Sequence, residues 1–438
     1  MCPAWRPVWT GVGGYGPAVA GADDVGVAGG TTRSLTDLIS LGVLAASVPR
    51  EVVDAAVAAR GRAAKRAGGK LPPHVMVYFA MALALFAEDD YEEVMVRLSE
   101  TLTTWGSWQD TWTVPTSGGI TQARARLGAG PVAEVFDQVA VPVAEELTRG
   151  AWLGPWRLMA IDGFDWDLPD TAENAAEFGY SGSGASRSAF PKARVVTISE
   201  CASHAVVAAQ IGGMHAGEQT LARQLYPGLD PDWLLIADRN FYGFADWNTA
   251  RAGGTQLLWR VSASLTLPVL APLPDGSYTS VLIHPTIRGT ARTRFVEAAR
   301  AGAELDPERA VVVRVVEYTV PDRAGNGSGE LIALLTTITD PTHAPAAVLA
   351  QAYHQRWEHE SGNDQLKTHL RGPAKILRSK KPDTVRQEIY GYLLTHYALS
   401  ALICRAATET DIDPDRIKFT RTVRIIRRRV TDPAAFSP

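Results

Sequence analysis

The stretch WLLIADRNF, residues 233–241, runs five apolar residues without interruption into Asp238. A strand with one wet face would alternate apolar and polar side chains, so this run predicts a strand covered on both faces, as in the parallel part of an α/β sheet. Upstream, ARVVTISEC (193–201) and HAVVAAQIG (204–212) are β-branched runs joined by a tight turn at Ala202 and Ser203, the pattern of a hairpin. Before them WRLMAIDGF (156–164) is a further short apolar run that reaches an acid, Asp162, and leads to the Gly/Ser-rich loop FGYSGSGASRSAFP (178–191). A helical segment at about 217–226 completes the order strand, hairpin strands, helix, buried strand, helix, strand. That order predicts a mixed α/β sheet with one antiparallel part.

The regions on either side differ in texture. From residue 35 to 149 the pattern is helical, with LTDLISLGVL, REVVDAAVAARGRAAKRAG, HVMVYFAMALALFA and YEEVMVRLSETL separated by Gly and Pro, which predicts a compact α domain. Inside it, VPTSGGITQARARLG offers Thr116 and Ser117 as caps for a helix bearing Arg124 and Arg126, residues that suit either a DNA groove or a plain surface. Between residues 256 and 337 the runs LLWRVSA, LTLPVLAPL, RTRFVEA, AVVVRVVEYTV and LIALLTTI read as strands, with PDGSY as a turn. They predict a β-rich subdomain inserted at about 262–328. The expected organisation is a loose arm over 1–33, a helical domain over 34–150, a sheet domain over 151–375 and a basic helical region over 376–438.

With 438 residues, 46% of them hydrophobic, the chain can bury a large core. A formal net charge of −4 excludes a uniformly basic nucleic-acid binder, so any DNA contact must come from local patches such as RIKFTRTVRIIRRR (416–429). Cys2, Cys201 and Cys404 lack CxxC spacing, which argues against a disulfide framework or zinc knuckle and for a reducing compartment. The longest apolar run, 75–87, is too short to span a bilayer, and no signal peptide is evident, so a cytoplasmic protein without membrane contact is expected.

Tyr353, Arg356, Glu360 and Lys367 lie in YHQRWEHESGNDQLKTHL (353–370), which contains no proline. On one α-helix, at roughly 100° per residue, their offsets fall within an arc of about 60°. Such a face is often only a solvated charged surface. A carboxylate flanked by two cations and a phenol also suits a phosphodiester, the acid holding a divalent metal and the cations holding phosphate oxygens. Asp162 and Asp238 favour the second reading, since acids at the carboxyl ends of neighbouring strands share one crevice. Asp165, Asp167 and Asp170 crowd Asp162, yet the run lacks the glycine and terminal glutamate of a calcium loop. Cys201, His204 and His215 make a weak zinc candidate.

These residues resemble the DDE transposases of bacterial insertion sequences, of the insertion-sequence-4 type, whose third acid lies in a Y-(2)-R-(3)-E-(6)-K signature. Tyr353, Arg356, Glu360 and Lys367 fit that spacing, IDGFDWDLPDTAENAAEFG resembles the first acidic motif, and ADRNFYGF the second. LPPHVMVYFAMALALF, ITQARARLG and RSKKPDTVRQEIYGYLLTHYALSAL are similar to flanking helical regions of one branch. The resemblance implies a ribonuclease-H-like mixed sheet core with an inserted β-rich subdomain, preceded by an all-α N-terminal domain. It implies DNA cleavage at the element's terminal inverted repeats and strand transfer into target DNA, with two Mg²⁺ ions, for which Mn²⁺ substitutes, and a homo-oligomer, commonly a dimer. Asp162, Asp238 and Glu360 would be the metal ligands. Tyr353, Arg356, Lys367 and Arg239 would grip the DNA backbone, with Arg124 and Arg126 as further DNA contacts and Trp259 as a guess for the aromatic platform under a flipped base. Trp357 is expected in the core. The alternatives are an inactive remnant that binds element ends and a ribonuclease-H-like nuclease acting on hybrids or flaps.

Overall fold

The computed structural model describes residues 43–64, 71–104, 113–320, 330–372 and 376–429; the expected arm over 1–33 lies outside them. Helices α1 (Val43–Ala46), α2 (Arg50–Ala59), α3 (Pro73–Leu85), α4 (Tyr91–Thr104), α5 (Ser117–Leu127) and α6 (Gly130–Val139) come first. Apolar residues surround α3 on every side and every residue from His74 to Leu85 is buried, so it is the axis of this layer. Thr116 caps α5 by accepting from the Gly119 amide, as its sequence suggests.

The long helix α13 (Pro382–Glu409) returns from the other end of the chain to pack along α3. Gly391 allows the approach. A Cβ there would stand 2.3 Å from the Ala80 carbonyl oxygen, a backbone atom that no side-chain movement relieves. Gly391→Ala is therefore expected to force the two helices apart and cost about 1–3 kcal/mol, read as a lower urea midpoint. An unchanged midpoint would show that the contact is slack.

Ten described strands form one sheet, in the order β4-β3-β2-β5-β6-β10-β9-β8-β7 with β1 paired to β2. The first are β1 (Trp152–Leu153), β2 (Trp156–Asp167), β3 (Lys192–Glu200) and β4 (Val206–Gly213), with α7 (Ala172–Phe178) between β2 and β3. The sequence-expected hairpin is β3 and β4, antiparallel to each other, with β3 antiparallel to β2. After α8 (Glu218–Ala222), β5 (Trp233–Ala237) runs parallel to β2. After α9 (Phe244–Arg251), β6 (Gln256–Val261) runs parallel to β5. Three antiparallel strands continued by two parallel ones, covered by helices, make the mixed sheet of a ribonuclease-H-like core. β5 is buried throughout, as its uninterrupted apolar run requires.

The inserted region extends this same sheet. β7 (Ala271–Pro272), β8 (Tyr278–Ile283), α10 (Gly289–Arg300) and β9 (Ala310–Val320) intervene before β10 (Glu330–Thr336), which pairs back with β6. Two expected strands differ. RTRFVEA belongs to helix α10, whose Phe295, Val296 and Ala299 pack on the cluster at β8 in a helical, not a two-residue, spacing. LTLPVLAPL yields only the two-residue β7, since Pro268 and Pro272 offer no amide to a ladder.

The chain from 353 to 370 is not one α-helix. It divides into the end of α11 (Ala346–His354), then α12 (Arg356–Asp364), then a π-helical turn at Gln365–Leu370. A last helix, α14 (Phe419–Arg429), buries Phe419, Val423 and Ile426 in the cluster that joins the amino-terminal helices to α13 and to Phe164 and Trp166 of β2. Among the described residues no helix is long and apolar enough to cross a membrane.

Candidate active site

Two parallel pairings align three strands in one register, Ile161 beside Ala237 and Ala237 beside Trp259. The next residues are Asp162 on β2, Asp238 just past the end of β5 and Arg260 on β6. These three form a row about one strand spacing, ~4.8 Å, apart at their backbones. Strand parity fixes the face. Leu158, Ala160, Leu234, Ile236 and Leu258 belong to the cluster that receives Leu349, Ala352 and Tyr353 of α11, whereas Met159, Ile161, Leu235, Ala237 and Trp259 lie in the opposite one. By the two-residue period Asp162, Asp238 and Arg260 share the face that α11 covers.

Asp162 does not end its strand as expected. β2 continues through Asp167 on its pairing with β3, while β5 stops at Ala237. Beyond Ala237, β2 runs on without its parallel neighbour. Asp162 Oδ1 accepts from the Gly163 amide at 2.8 Å, and Asp238 accepts from the Arg239 amide at the start of a 3₁₀ turn. The neighbouring acids are committed elsewhere: Asp165 to Arg194 at 3.0 Å, Asp167 to Lys192 at 2.6 Å and Asp170 to the Tyr180 hydroxyl at 2.6 Å. On the other face, a Cβ on Gly163 would meet the Glu218 carboxylate at 2.9 Å. Burial pushes the Glu218 carboxyl up; Arg194 opposes this, and Asp165 and Asp238 add to it.

Helix α12 reaches the row through Asn363, which is buried and whose Nδ2 donates to Asp162 Oδ2 at 3.5 Å. Glu360 precedes Asn363 by three residues, so the two positions lie on one helix face, and Glu360 is carried on the side of α12 that meets Asp162. The side chains of Trp357 and Glu360 lie outside the described residues. In the π-helical turn, Lys367 Nζ stands 5.9 Å from the ring centre of Phe164, two residues beyond Asp162 on the same face. The π-helical turn thus sets Lys367 against the sheet face that carries Asp162.

Tyr353 and Arg356 sit under this surface. Tyr353 is 5% exposed and Arg356 is 8% exposed, with the guanidinium carbon 6.0 Å from the Tyr353 ring centre. Burial raises the Tyr353 phenol, and the Asp238 charge adds to the rise while Arg356 and Arg260 oppose it, so its polar end feels the acidic row. Arg260 pairs with Glu330 of β10.

Behind α12 a buried relay holds the turn. Gln365 Nε2 donates to His204 Nδ1 at 2.9 Å, and His396 Nε2 donates to Gln365 Oε1 at 3.1 Å. His204 Nε2 lies 3.3 Å from Asp415 Oδ1. His204 occupies the left-handed region at φ 60° in the β3–β4 turn, and both its ring nitrogens are engaged by Gln365 and Asp415, not by Cys201 and His215 of the zinc candidate.

Other expected contacts are placed differently. Arg124 is 3% exposed and donates to Gln387 Oε1 at 2.8 Å, Ser379 Oγ at 3.0 Å and the Tyr91 hydroxyl, tying α5 to α4 and α13. That position argues against a phosphate contact, whereas Arg126 and Arg239 are exposed. Trp259 is fully buried, stacked edge-on against Trp247 at 5.5 Å, and offers no platform to a base. Asn363, Arg260 and Gln365 escaped the sequence reading. Only Asn363 carried a signal, its i, i+3 spacing from Glu360.

The donor set fits a hard divalent cation: carboxylate oxygens on adjacent strands, with no sulfur or imidazole in the row. Among the described residues no three metal-ligating side chains converge, and the side chain of Glu360, the third donor expected from the sequence, lies outside that description.

Residues 155–397 match the family described as Transposase DDE domain, and residues 38–137 match Insertion element 4 transposase N-terminal. The chain is 26% identical over 373 residues to the transposase InsG for insertion sequence element IS4 of Escherichia coli K12, covering 84% of this chain and 78% of that one. It is 31% identical over 125 residues to the putative transposase InsZ of the same organism, covering 28% of this chain and 42% of that one. A solved structure of the piggyBac transposase synaptic complex with hairpin DNA aligns over 91% of this chain and 79% of that chain at 10% identity, with a TM-score of 0.43. The DDE-domain match spans more than half of the chain, and the chain belongs to that family of transposases, enzymes that cut DNA and transfer its strands with divalent metal ions.

Proposed function

We propose that Asp162, Asp238 and Glu360 together hold two Mg²⁺ ions and that the chain cuts the terminal inverted repeats of its own insertion sequence and joins them to target DNA. The observation that carries this reading is the row of Asp162, Asp238 and Arg260 across three parallel strands, with α12 docked on it through Asn363. The bound ions would lower the pKa of an attacking water or 3′-hydroxyl and neutralise charge on the leaving oxygen.

The chain's own residues do the rest. The Gly163 and Arg239 amides each orient one oxygen of an aspartate, Asp162 and Asp238 respectively. Asn363 fixes Asp162 from the helix side. Arg239, Arg260 and Lys367 hold phosphate oxygens around the row, in the manner of charge-assisted hydrogen bonds. Tyr353 and Arg356, expected from the sequence as DNA-backbone contacts, are buried instead and support the row from below. Arg126 adds a backbone contact on the amino-terminal helices. Two ends must be held together for transfer, so the working form is a homodimer on DNA.

The test is an end-cleavage assay with the purified chain, Mg²⁺ or Mn²⁺, and a fragment carrying the sequence that flanks this gene. Cleavage at a discrete position, lost on chelation, is expected. Binding without cleavage would assign an inactive remnant, and preferential cutting of RNA–DNA hybrids would assign a nuclease.

A further inference from the structure

Helix α14 divides its cations into two kinds. The sequence FTRTVRIIRRR contains no acid, and its apolar residues Phe419, Val423 and Ile426 fall within one arc and are buried. Arg427 flanks that arc and serves the fold: its guanidinium donates to the carbonyls of Leu85, just before the C-cap of α3, and Leu370, at the end of the π-helical turn. Burial lowers its guanidinium accordingly. Arg421, Arg424 and Arg428 point the other way. They lie at i, i+3 and i+7, exposed, on the face opposite the core, with Ile425 also exposed among them.

Three guanidiniums along about 10 Å of helix axis match the length over which one DNA strand presents about three phosphates. The face has no carboxylate of its own, in a chain whose net charge is −4. The helix also starts beside the catalytic helix: Lys418, Phe419 and Thr420 form one wall of an open cleft of about 520 Å³ whose other wall includes Ser361, Asp364 and Gln365. We infer that the Arg421–Arg424–Arg428 face of α14 is a sequence-independent docking surface for the phosphate backbone of duplex DNA. It rests on the reading of the chain as a DNA-cutting enzyme and adds a second contact surface, outside the acidic row, that holds flanking duplex.

The experiment measures binding of the full chain to a random-sequence duplex of about 40 base pairs across a salt series, for the unaltered protein and for the combined variant Arg421→Gln, Arg424→Gln and Arg428→Gln. Glutamine keeps helix propensity and removes the charge. Each lost phosphate contact lowers the salt slope by about 0.9, so a fall of about 2–3 is expected, with at least a ten-fold weaker affinity near 0.1 M salt. Arg427→Gln should instead lower stability and leave the slope as it was. If the combined variant does not fold, each single variant should lower the slope by about 1. Equal slopes in folded variant and unaltered protein overturn the inference, as does an unchanged slope with a loss of self-association, which would make the face a contact between copies. Failure of the underlying reading looks different, because the unaltered protein would then show no salt-dependent binding of duplex at all.

Discussion

Asp238→Asn is expected to abolish metal-dependent strand cleavage while leaving duplex binding and stability near those of the unaltered protein. Asparagine has nearly the same shape and can still accept from the Arg239 amide, so the 3₁₀ turn that begins there should persist. What disappears is the negative charge in the middle of a row flanked by Asp162 on one strand and Arg260 on the other. Removing one preorganised group from a reacting centre costs about 10²–10³ in rate where the group is only a hydrogen-bond donor, and a metal-holding carboxylate should exceed that. Asp162→Asn and Glu360→Gln should give the same phenotype, and pairs of these variants should cost little more than single ones, since the three act as a unit. The measurement is single-turnover cleavage of the element end beside a gel shift. Cleavage within ten-fold of the unaltered rate in any of the three would remove that residue from the metal site.

Asp275→Ala is expected to destabilise the fold by about 3–5 kcal/mol, the cost of leaving a buried partner charge uncompensated. The partner is Arg314 of β9, fully buried, which also donates to Ser277 Oγ at 2.8 Å and to the Ala344 carbonyl at 2.7 Å. Asp275 stands in the turn before β8 and accepts from the Ala346 amide at 2.7 Å, so one carboxylate joins the inserted strands to the first turn of α11. It is placed where the helix dipole favours a negative charge. Through α11 the insertion positions α12 and the acid it carries. Burial works to raise the Asp275 carboxyl, but hydrogen bonds from Ser277 and Ala346 and the Arg314 charge hold it below its ordinary value. A depressed carboxylate contributes stability that is present above its unfolded value of about 3.9 and lost as pH falls through the folded one. The gap between the unaltered protein and Asp275→Ala should therefore stay constant near neutrality and narrow below about pH 4. Asp275→Asn, which keeps an acceptor for Ala346, should lose less. Urea midpoints across pH measure both effects, and a midpoint unmoved by Asp275→Ala would show that Arg314 finds other compensation.

The sequence by itself determined the buried strand β5, the β3–β4 hairpin, the buried helix α3 and the spacing that marked Asp162, Asp238 and Glu360 as candidates. Those features are local: an apolar run without polar interruption, a two-residue alternation and a turn-by-turn spacing are properties of neighbouring residues in the chain. Only the tertiary structure decided the register in which β2, β5 and β6 set Asp162, Asp238 and Arg260 in one row, because register is a relation between segments that the chain keeps far apart. It decided that Arg124 and Trp259 are interior while Arg126 is exposed. A cation or an indole reads the same in sequence whether it faces water or Gln387. It also decided where the segment 353–370 breaks, with Gln365 in the π-helical turn held between His204 and His396, partners from two other elements. Arg421, Arg424, Arg427 and Arg428 are alike as letters; the carbonyls of Leu85 and Leu370 make one of them structural and leave three facing outward.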